Sequence, residues 1–378
     1  MTDQNPFRPS FGVAPHTLVG REEPLERLRV AMAAGPTHPD FTMLIASPRG
    51  SGKTVLLKAM RDAAEQAGWA TVPITATPSE NLSGLITEQL ADAVTELDDR
   101  RSRRRISSIN LSVLGTGGGI ELAESAAGAD RPRTRMLRTM GALGELAESK
   151  HSGALLTLDE FHKAHIDSAR EFAHALQAVS KVDAKPVMFV GAGLPSMEDG
   201  ILADDAMTFF QRIARTPIQP LERAETMRAL RAPIVDSGHR VTSEALEAAA
   251  SAASGYPFMV QLVGYHMWES CTDLDGGVTL ADAEAGIRIA NLAMVEQVLR
   301  PVWRDLSDGD RRVLIEMSRF ADAEVRRRDL AAALDKSSGY LATYLTRLEA
   351  AGTLYRPSRG SVSFVHEAMR KWLREAHL

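Results

Sequence analysis

A glycine-rich loop between an apolar run and a helical segment constrains this chain more than any other feature. The loop matches the phosphate-binding pattern G-x-x-x-x-G-K-S/T at every fixed position except the first, where Ser47 replaces glycine. The apolar run Phe41 to Ala46 precedes it, and Val55 to Ala67 has helical spacing. Backbone amides and a helix N-terminus therefore converge on an anion at this point. The sequence predicts a buried strand that ends in a phosphate site.

The loop residues have separate predicted roles. Lys53 would reach the β- and γ-phosphates of a nucleotide, and the Thr54 hydroxyl would ligate Mg²⁺. Gly50 and Gly52 permit backbone angles and a close approach that a side chain would block. The predicted nucleotide-binding residues of the loop are Ser47, Pro48, Arg49, Gly50, Ser51, Gly52, Lys53, Thr54 and Val55.

An acidic pair follows a second apolar run, Ala154 to Leu158. Phosphoryl transfer needs a carboxylate ligand for the metal and a group that orients water. We expect Asp159 to hold Mg²⁺ and Glu160 to polarise the attacking water as general base. Such a pair is commonplace alone and gains its meaning from the loop. Nearby His162 has no partner at metal-ligand spacing, which indicates a surface or packing histidine.

The chain from about residue 15 to 220 alternates strand and helix signals. Further buried strands are predicted at Ala70 to Ile74, Ala154 to Leu158 and Val187 to Val190, with a weaker one at Ile218 to Leu221. Helical segments separate them, at Leu82 to Leu97, Met136 to Leu146 and Ala169 to Val182. This order predicts a three-layer α/β core with a parallel sheet covered by helices on both faces.

An insertion interrupts this plan at about residues 100 to 125. Alternating apolar and polar residues surround the glycine run at 115 to 119, which predicts a β-hairpin. The stretch 100 to 105 just before that turn contains five arginines. A solvated charged edge and a probe for DNA or a protein partner both remain open.

Two smaller units are predicted after the core. Residues 221 to 303 are alanine-rich and helical, with helix starts at Thr242 and Thr279, and form an all-α lid. From residue 304 to 378 three helical segments precede a turn, Pro357 to Gly360, flanked by two short strands. Three helices and a two-stranded wing predict a winged-helix domain.

Composition bounds the class of protein. The net charge is −5, which argues against a surface that binds nucleic acid everywhere, although residues 304 to 378 carry an excess of three positive charges. The single cysteine, Cys271, excludes an internal disulfide framework and a multi-cysteine zinc site. No apolar run approaches the roughly 20 residues of a membrane-spanning helix, so we expect a cytoplasmic protein without a membrane partner.

Taken together, these motifs resemble the AAA+ and STAND branch of P-loop ATPases, in particular archaeal ATPases and origin-recognition initiators. The resemblance rests on Val19-Gly20-Arg21-Glu22, on the phosphate loop, on Leu158-Asp159-Glu160 and on Gly255-Tyr256-Pro257. It implies ATP or ADP with Mg²⁺ as cofactors. It also implies that Val19, Gly20 and Arg21 border the base and that Pro257 approaches it.

Two departures from that family pattern affect the predicted activity. The run Val190 to Pro195 lacks the polar side chain with which relatives sense the γ-phosphate, which argues against fast hydrolysis. Pro257 stands where initiators carry an arginine, which favours the STAND side. The resemblance places an arginine finger at Arg212, although an exposed, salt-bridging arginine is an equal reading.

The sequence thus predicts an ATP-binding, ATP-hydrolysing switch that couples nucleotide state to DNA binding or assembly. For double-stranded DNA, the third helix of the last domain would present Ser337, Ser338, Tyr340, Thr343 and Arg347, while Arg356 and Arg359 would touch phosphates. The alternatives are a regulatory NTPase that oligomerises with itself or a protein partner without DNA, and a nucleotide-stabilised scaffold with little turnover. A small-molecule kinase is disfavoured by the lid and the last domain.

Overall fold

A parallel sheet forms the centre of the N-terminal half. The computed structural model describes residues 4–10, 12–79, 81–106 and 132–377. In these residues the sheet consists of β1 (Thr42–Ala46), β2 (Ala70–Thr75), β3 (Ala154–Asp159), β4 (Val187–Gly193) and β5 (Ala214–Arg215). The strand order is β2-β3-β4-β1-β5, and all neighbours are parallel. The predicted α/β fold with a parallel sheet is confirmed, and β1 lies inside the sheet between β4 and β5.

The weak strand predicted at Ile218 to Leu221 is wrong. The fifth strand is Ala214–Arg215, and Thr216 continues it only by donating its N–H to the Leu44 carbonyl at 2.9 Å. Pro217 and Pro220 have no N–H, so they cannot extend the ladder. Ile218 is apolar because its side chain is buried in the core.

Helices cover both faces of the sheet. One face packs against α1 (Glu22–Ala34) and α2 (Lys53–Gln66), and the other against α3 (Leu82–Ile106), α4 (Pro132–Ser149) and α5 (Ile166–Leu176). Within β1, Met43 and Ile45 pack in the apolar cluster on the side of α1 and α2, whereas Leu44 packs in the cluster on the side of α3, α4 and α5. Strands β1, β3 and β4 lie inside the sheet and are almost completely buried, so they consist mainly of apolar residues that the sequence shows as continuous runs.

Helix α3 extends into the start of the region predicted as an insertion, about residues 100 to 125. Residues 100–106 belong to helix α3, which is 25 residues long and contains the whole arginine run. Their positions therefore continue the helix that begins at Leu82. The glycine turn and the predicted strands of the hairpin lie outside the described residues.

A helical lid follows the sheet. Two short helices, α6 (Ser196–Asp199) and α7 (Thr208–Gln211), precede β5. The lid comprises α8 (Arg223–Asp236), α9 (Ser243–Ala253), α10 (Pro257–Ser270) and α11 (Leu280–Met294). Thr242 caps α9 and Thr279 caps α11 by accepting backbone N–H groups, as predicted for these helix starts.

The C-terminal unit, residues 308–377, combines helices with a small antiparallel sheet. A short helix, α12 (Arg300–Asp305), leads into it. Its elements are α13 (Asp308–Ser318), β6 (Glu324–Arg326), α14 (Arg327–Ala333), α15 (Ser338–Ala350), β7 (Leu354–Tyr355), β8 (Ser361–Phe364) and α16 (Glu367–His377). The strand order is β6-β8-β7. The three helices and two strands of the prediction lie here, while β6 and α16 were not predicted.

One apolar cluster joins the lid to the C-terminal unit. It includes Leu230 and Met267 of the lid and Leu314 and Leu373 of the C-terminal unit, and all four side chains are fully buried. A displacement of either part would therefore disturb a shared core. None of the described helices is long and apolar enough to cross a membrane.

Candidate nucleotide site

The phosphate loop connects β1 to α2 at the carboxyl edge of the sheet. Gly50 and Gly52 have φ values of +72° and +92°, in the left-handed region that favours glycine. Helix α2 begins at Lys53, so the free N–H groups of its first turn point toward the loop. The Ser47 N–H is bonded to the Gly193 carbonyl at 3.1 Å, which fixes the start of the loop against β4.

Lys53 is buried within its own loop. Its Nζ donates to the carbonyl oxygens of Ser47 and Pro48, both at 2.7 Å. Burial lowers the pKa of Lys53 to about 8, against the attraction of Glu160 and Asp159, which raises it. The ammonium is therefore held at the loop and largely charged at neutral pH.

The two predicted magnesium ligands lie against each other. The Thr54 hydroxyl donates to Asp159 Oδ2 at 2.5 Å, which joins the first turn of α2 to the end of β3. Asp159 Oδ1 accepts the Glu160 N–H at 2.8 Å. Among the described residues, no group of three or more His, Cys, Asp or Glu side chains could hold a metal on its own.

Glu160 has an uncommon backbone conformation for a side-chain-bearing residue, with φ of +55°. Its Oε2 lies 2.6 Å from Lys163 Nζ and 3.7 Å from His162 Nε2. Burial alone raises the pKa of Glu160, but Lys163, His162 and Lys53 outweigh it and leave the pKa below its ordinary value. The carboxylate is therefore ionised, as a general base must be.

His162 lies behind Glu160, with only 12% of its side chain exposed, so a surface position is excluded. Its Nδ1 accepts the N–H of Leu194 at 3.3 Å, just past β4. Burial lowers the pKa of His162, against the attraction of Glu160. The neutral ring then carries its proton on Nε2, the atom that faces Glu160.

A cavity of about 450 Å³ opens beside the loop. It is bordered by the loop, the lid, the segment before α1 and the segment around α12. Of the predicted nucleotide-binding residues, those that line it are Val19, Arg21, Arg49, Gly50, Ser51, Gly52, Lys53, Thr54, Val55 and Pro257. Glu160 also lines it, whereas the cavity wall does not include Gly20, Ser47, Pro48 or Asp159. A volume of this size lies within the range of ligand pockets, about 300 to 1,000 Å³.

Arg21 reaches the loop from the end of the segment before α1. One guanidinium nitrogen donates to the Ser51 carbonyl at 3.0 Å and the other to the Gly20 carbonyl at 2.6 Å. Burial lowers the pKa of Arg21, and the nearby Glu225 and Glu22 oppose that shift. The side chain thus braces the loop backbone in addition to lining the cavity.

The sequence predicts no role for Tyr256, the middle residue of the Gly-Tyr-Pro segment. Its hydroxyl donates to the Arg49 carbonyl at 2.9 Å. A Cβ added at Gly50 would lie 1.6 Å from that hydroxyl, so glycine is required there by close approach. The ring lies 4.0 Å, between centroids, from that of His366 in the C-terminal unit. Tyr256 therefore contacts both the loop and the C-terminal unit. Its loop partner, Arg49, is 207 positions away in the sequence, so no local pattern indicates this contact.

The remaining predicted residues lie away from the cavity. Arg212 is exposed at the end of α7, so a role as arginine finger needs a second copy of the chain and stays a prediction. Arg347 is paired with Asp310 at 2.8 Å and Arg356 with Glu349 at 2.5 Å. Ser337 caps α15 by accepting the Tyr340 N–H, while Ser338, Thr343 and Arg359 are exposed. Part of the predicted DNA face is thus already bonded to other residues of the protein, through Arg347, Arg356 and Ser337.

The comparisons with known families agree with this geometry. Residues 17–190 match the family model described as "AAA ATPase domain". The chain therefore contains an AAA ATPase domain. Residues 296–373 match a second model, described as "Domain of unknown function (DUF8462)". The first match ends inside β4 and the second begins after α11, so helices α8 to α11 of the lid lie in neither match.

Solved structures share the fold over nearly the whole chain. A Walker-type ATPase of Pyrococcus abyssi, PABY2304, has a TM-score of 0.66 at 14% identity, covering 94% of this chain and 96% of that one. The ORC2 protein of Aeropyrum pernix, in ADPNP and ADP complexes, has a TM-score of 0.60 at 13% identity, covering 97% of each. At these identities the likeness concerns the fold alone. No curated protein matches the sequence.

Proposed function

We propose that this chain is an ATP-binding and ATP-hydrolysing switch in which the nucleotide site controls the position of the C-terminal unit. The observation that carries the proposal is the convergence of Lys53, Thr54, Asp159 and Glu160 beside a cavity that also touches the lid. The ADPNP and ADP complexes of the A. pernix protein with the same fold support an adenine nucleotide as ligand.

Lys53 and the free amides of the loop would bind the phosphates, because they concentrate positive charge at a helix N-terminus. The Thr54 hydroxyl and the Asp159 carboxylate fit Mg²⁺, since two hard oxygen ligands leave room for waters and phosphate oxygens. When bound, Mg²⁺ would neutralise the charge that develops on the phosphates. Glu160 would accept the proton of the attacking water.

Two observations favour slow turnover. Glu160 is held by Lys163 at 2.6 Å and must leave this partner, or share it, to orient water. The residues of β4 and the two that follow have no polar side chain to contact a γ-phosphate. A nucleotide-stabilised scaffold with little turnover is therefore the second candidate.

The output is proposed to pass through Tyr256, which contacts the loop and His366 at once. A ligand shifts an equilibrium only by its differential affinity for the two states, and loop contacts of this kind provide that difference. The order of α13, α14, α15, β7 and β8 supports the proposal that the C-terminal unit, the proposed domain 304–378, is a winged helix. The pairing of Arg347 and Arg356 with acidic residues favours assembly or internal rearrangement over DNA binding.

Nucleotide binding is tested first, by calorimetry with ADP and ATP in the presence of Mg²⁺. Replacing Lys53 by Ala should weaken binding by about 10- to 100-fold, the value of one hydrogen-bonded charge. Lys58→Ala is the matched control, because Lys58 lies on the same helix, is half exposed and pairs with Asp62. Equal affinity in the wild type and Lys53→Ala would remove the site assignment.

Outputs are separated by measuring turnover and oligomeric state with and without duplex DNA. A DNA-associated ATPase should bind DNA with a salt slope that falls by up to about 2 units when Arg356 and Arg359 are both replaced by Ala. A switch that acts by assembly should change its oligomeric mass when nucleotide binds and should show no binding to DNA. An unchanged mass together with DNA-stimulated turnover would overturn our preference for assembly.

A further inference from the structure

The segment before α1 borders the cavity over most of its length. We call residues 4–17 the N-terminal arm, of which residues 4–10 and 12–17 are described. The predicted site began only at Val19. In the structure, six arm residues also line the cavity: Arg8, Ser10, Gly12, Val13, Pro15 and Thr17. The arm therefore supplies a substantial part of the cavity wall.

One end of the arm is anchored to lid helix α10. The Phe7 ring is 2% exposed and fills the space over Gly264, where an added Cβ would lie 2.3 Å from Phe7 Cε1. Phe7 is also a member of the apolar cluster of the lid. The anchor is thus a buried aromatic ring seated on the one helix residue without a side chain.

Hydrogen bonds flank this ring on both sides. Asn5 Nδ2 donates to the Tyr265 carbonyl at 3.1 Å and to Glu269 Oε1 at 2.8 Å. The Arg8 N–H donates to Gln261 Oε1 at 3.0 Å. Residues 261, 265 and 269 are four apart and share one face of α10, so the arm lies along a single ridge of the lid.

The other end of the arm reaches the first turn of α2. A Cβ added at Gly12 would lie 3.5 Å from Thr54 Cγ2, so the arm backbone passes close to a predicted metal ligand. The φ of Gly12 is +75°, which turns the chain at this point. The arm thus crosses the cavity from the lid to the phosphate loop.

We propose that the N-terminal arm is a wall of the nucleotide site that retains the bound nucleotide, with Phe7 as its anchor. This inference rests on the proposed nucleotide binding. A nucleotide in the cavity is enclosed by the loop, the lid and the arm, and it leaves when the arm detaches from α10. Detachment requires the Phe7 ring to be exposed, so the anchor sets the dissociation rate.

The experiment measures dissociation of a fluorescent ADP analogue from the full chain after mixing with excess unlabelled ADP. Phe7→Ala should accelerate dissociation by about 10- to 100-fold, the range expected when one buried phenyl ring no longer has to be exposed. Asn5→Ala removes two hydrogen bonds to α10 and the one that Asn5 Oδ1 accepts from the Phe7 N–H at 3.1 Å. The Phe7 ring itself is kept, so dissociation should accelerate by only about 3- to 10-fold. Gln4→Ala, an exposed arm position, is the matched control and should leave the rate unchanged.

The outcomes separate this inference from the proposed function. Dissociation from Phe7→Ala at the wild-type rate, with binding still sensitive to Lys53→Ala, contradicts retention of the nucleotide by the arm and leaves the assignment of the nucleotide site intact. Absence of binding by the wild type overturns both. Equal acceleration by Gln4→Ala and Phe7→Ala also contradicts an anchor at Phe7.

Discussion

The stability of the protein should depend on pH through one buried histidine. His366 lies in the C-terminal unit, 8% exposed, with its ring centroid 4.0 Å from that of Tyr256. Burial lowers the pKa of His366 from 6.5 to about 4, against a smaller opposing effect of the Val365 backbone. The native state therefore keeps this ring neutral at a pH at which the unfolded chain already protonates it.

The sign and size of the effect follow from this difference. Because the folded-state pKa is depressed, the unfolded state takes up the proton first as the pH falls. The contribution of His366 is intact above its unfolded pKa of 6.5, declines below it, and is lost by about pH 4. At about 1.4 kcal/mol per pKa unit, the full loss is about 3 kcal/mol, of which about 2 kcal/mol falls between roughly pH 7 and 5.

The assay is urea unfolding of the wild type and His366→Phe at both pH values, followed by tryptophan fluorescence. Trp372 lies in the C-terminal unit, 5.5 Å from Trp303 between ring centroids, and reports on its packing. The free energy of unfolding of the wild type should fall by about 2 kcal/mol more than that of the variant. Phe keeps a flat ring against Tyr256 but has no proton to gain.

A control variant separates this effect from general acid titration. The His165 side chain is 70% exposed, so His165→Phe should keep the pH dependence of the wild type. The other titrating groups are common to all three proteins and cancel in the comparison. If His366→Phe loses as much stability as the wild type between the two pH values, the reasoning from burial is refuted.

Three further predictions concern the loop and the acidic pair. Glu160→Gln should keep nucleotide affinity while lowering turnover by at least about 100-fold, because the amide cannot accept the proton; unaltered phosphate release would dismiss Glu160 as base. The amide of His162→Gln can reach Glu160, whereas that of His162→Asn can replace only Nδ1, which accepts the Leu194 N–H. His162→Gln should therefore retain more turnover than His162→Asn. The reverse order in steady-state assays would contradict a contact between His162 Nε2 and Glu160 that supports turnover. Gly50→Ala should weaken ADP binding in calorimetry, because the added Cβ would displace Tyr256. Gly360 also has a positive φ, +89° against +72° at Gly50, but its added Cβ would lie in open space, so Gly360→Ala should not weaken binding. Equal effects of the two variants would attribute both to backbone strain.

The parallel core could be predicted because it depends on local signals. Strands β1, β3 and β4 are almost completely buried and consist mainly of apolar residues, and the loop has a fixed pattern of glycines and lysine. The fifth strand could not be found, since Ala214–Arg215 is two residues long and gains its position by pairing with β1. The helix predicted at Leu82 to Leu97 continues through the arginine run to Ile106, and arginine is a good helix former.

The candidate site was predictable only where its residues are neighbours in the chain. The loop and the acidic pair each form a short motif, and the sheet brings them together at the carboxyl ends of β1 and β3. Tyr256 and Phe7 act through contacts more than 200 positions away, at Arg49 and Gly264, and an isolated aromatic residue has no local pattern. The only sequence signals for these contacts were Gly50 and Gly264, because Tyr256 and Phe7 approach them too closely for a side chain to fit.

The loop is braced by several distant segments, and the bonds that they make use its carbonyl oxygens. Tyr256 donates to the Arg49 carbonyl, Arg21 to that of Ser51, and Lys53 to those of Ser47 and Pro48. These bonds leave the amides of the first turn of α2 for an anion, so bracing and phosphate binding do not compete for the same atoms. Phosphate binding would draw Lys53 from the carbonyls toward the ligand, and the loop would then depend on Tyr256 and Arg21 for its shape. The lid and the segment before α1 thus contact the loop at the point where nucleotide binding changes its internal hydrogen bonds.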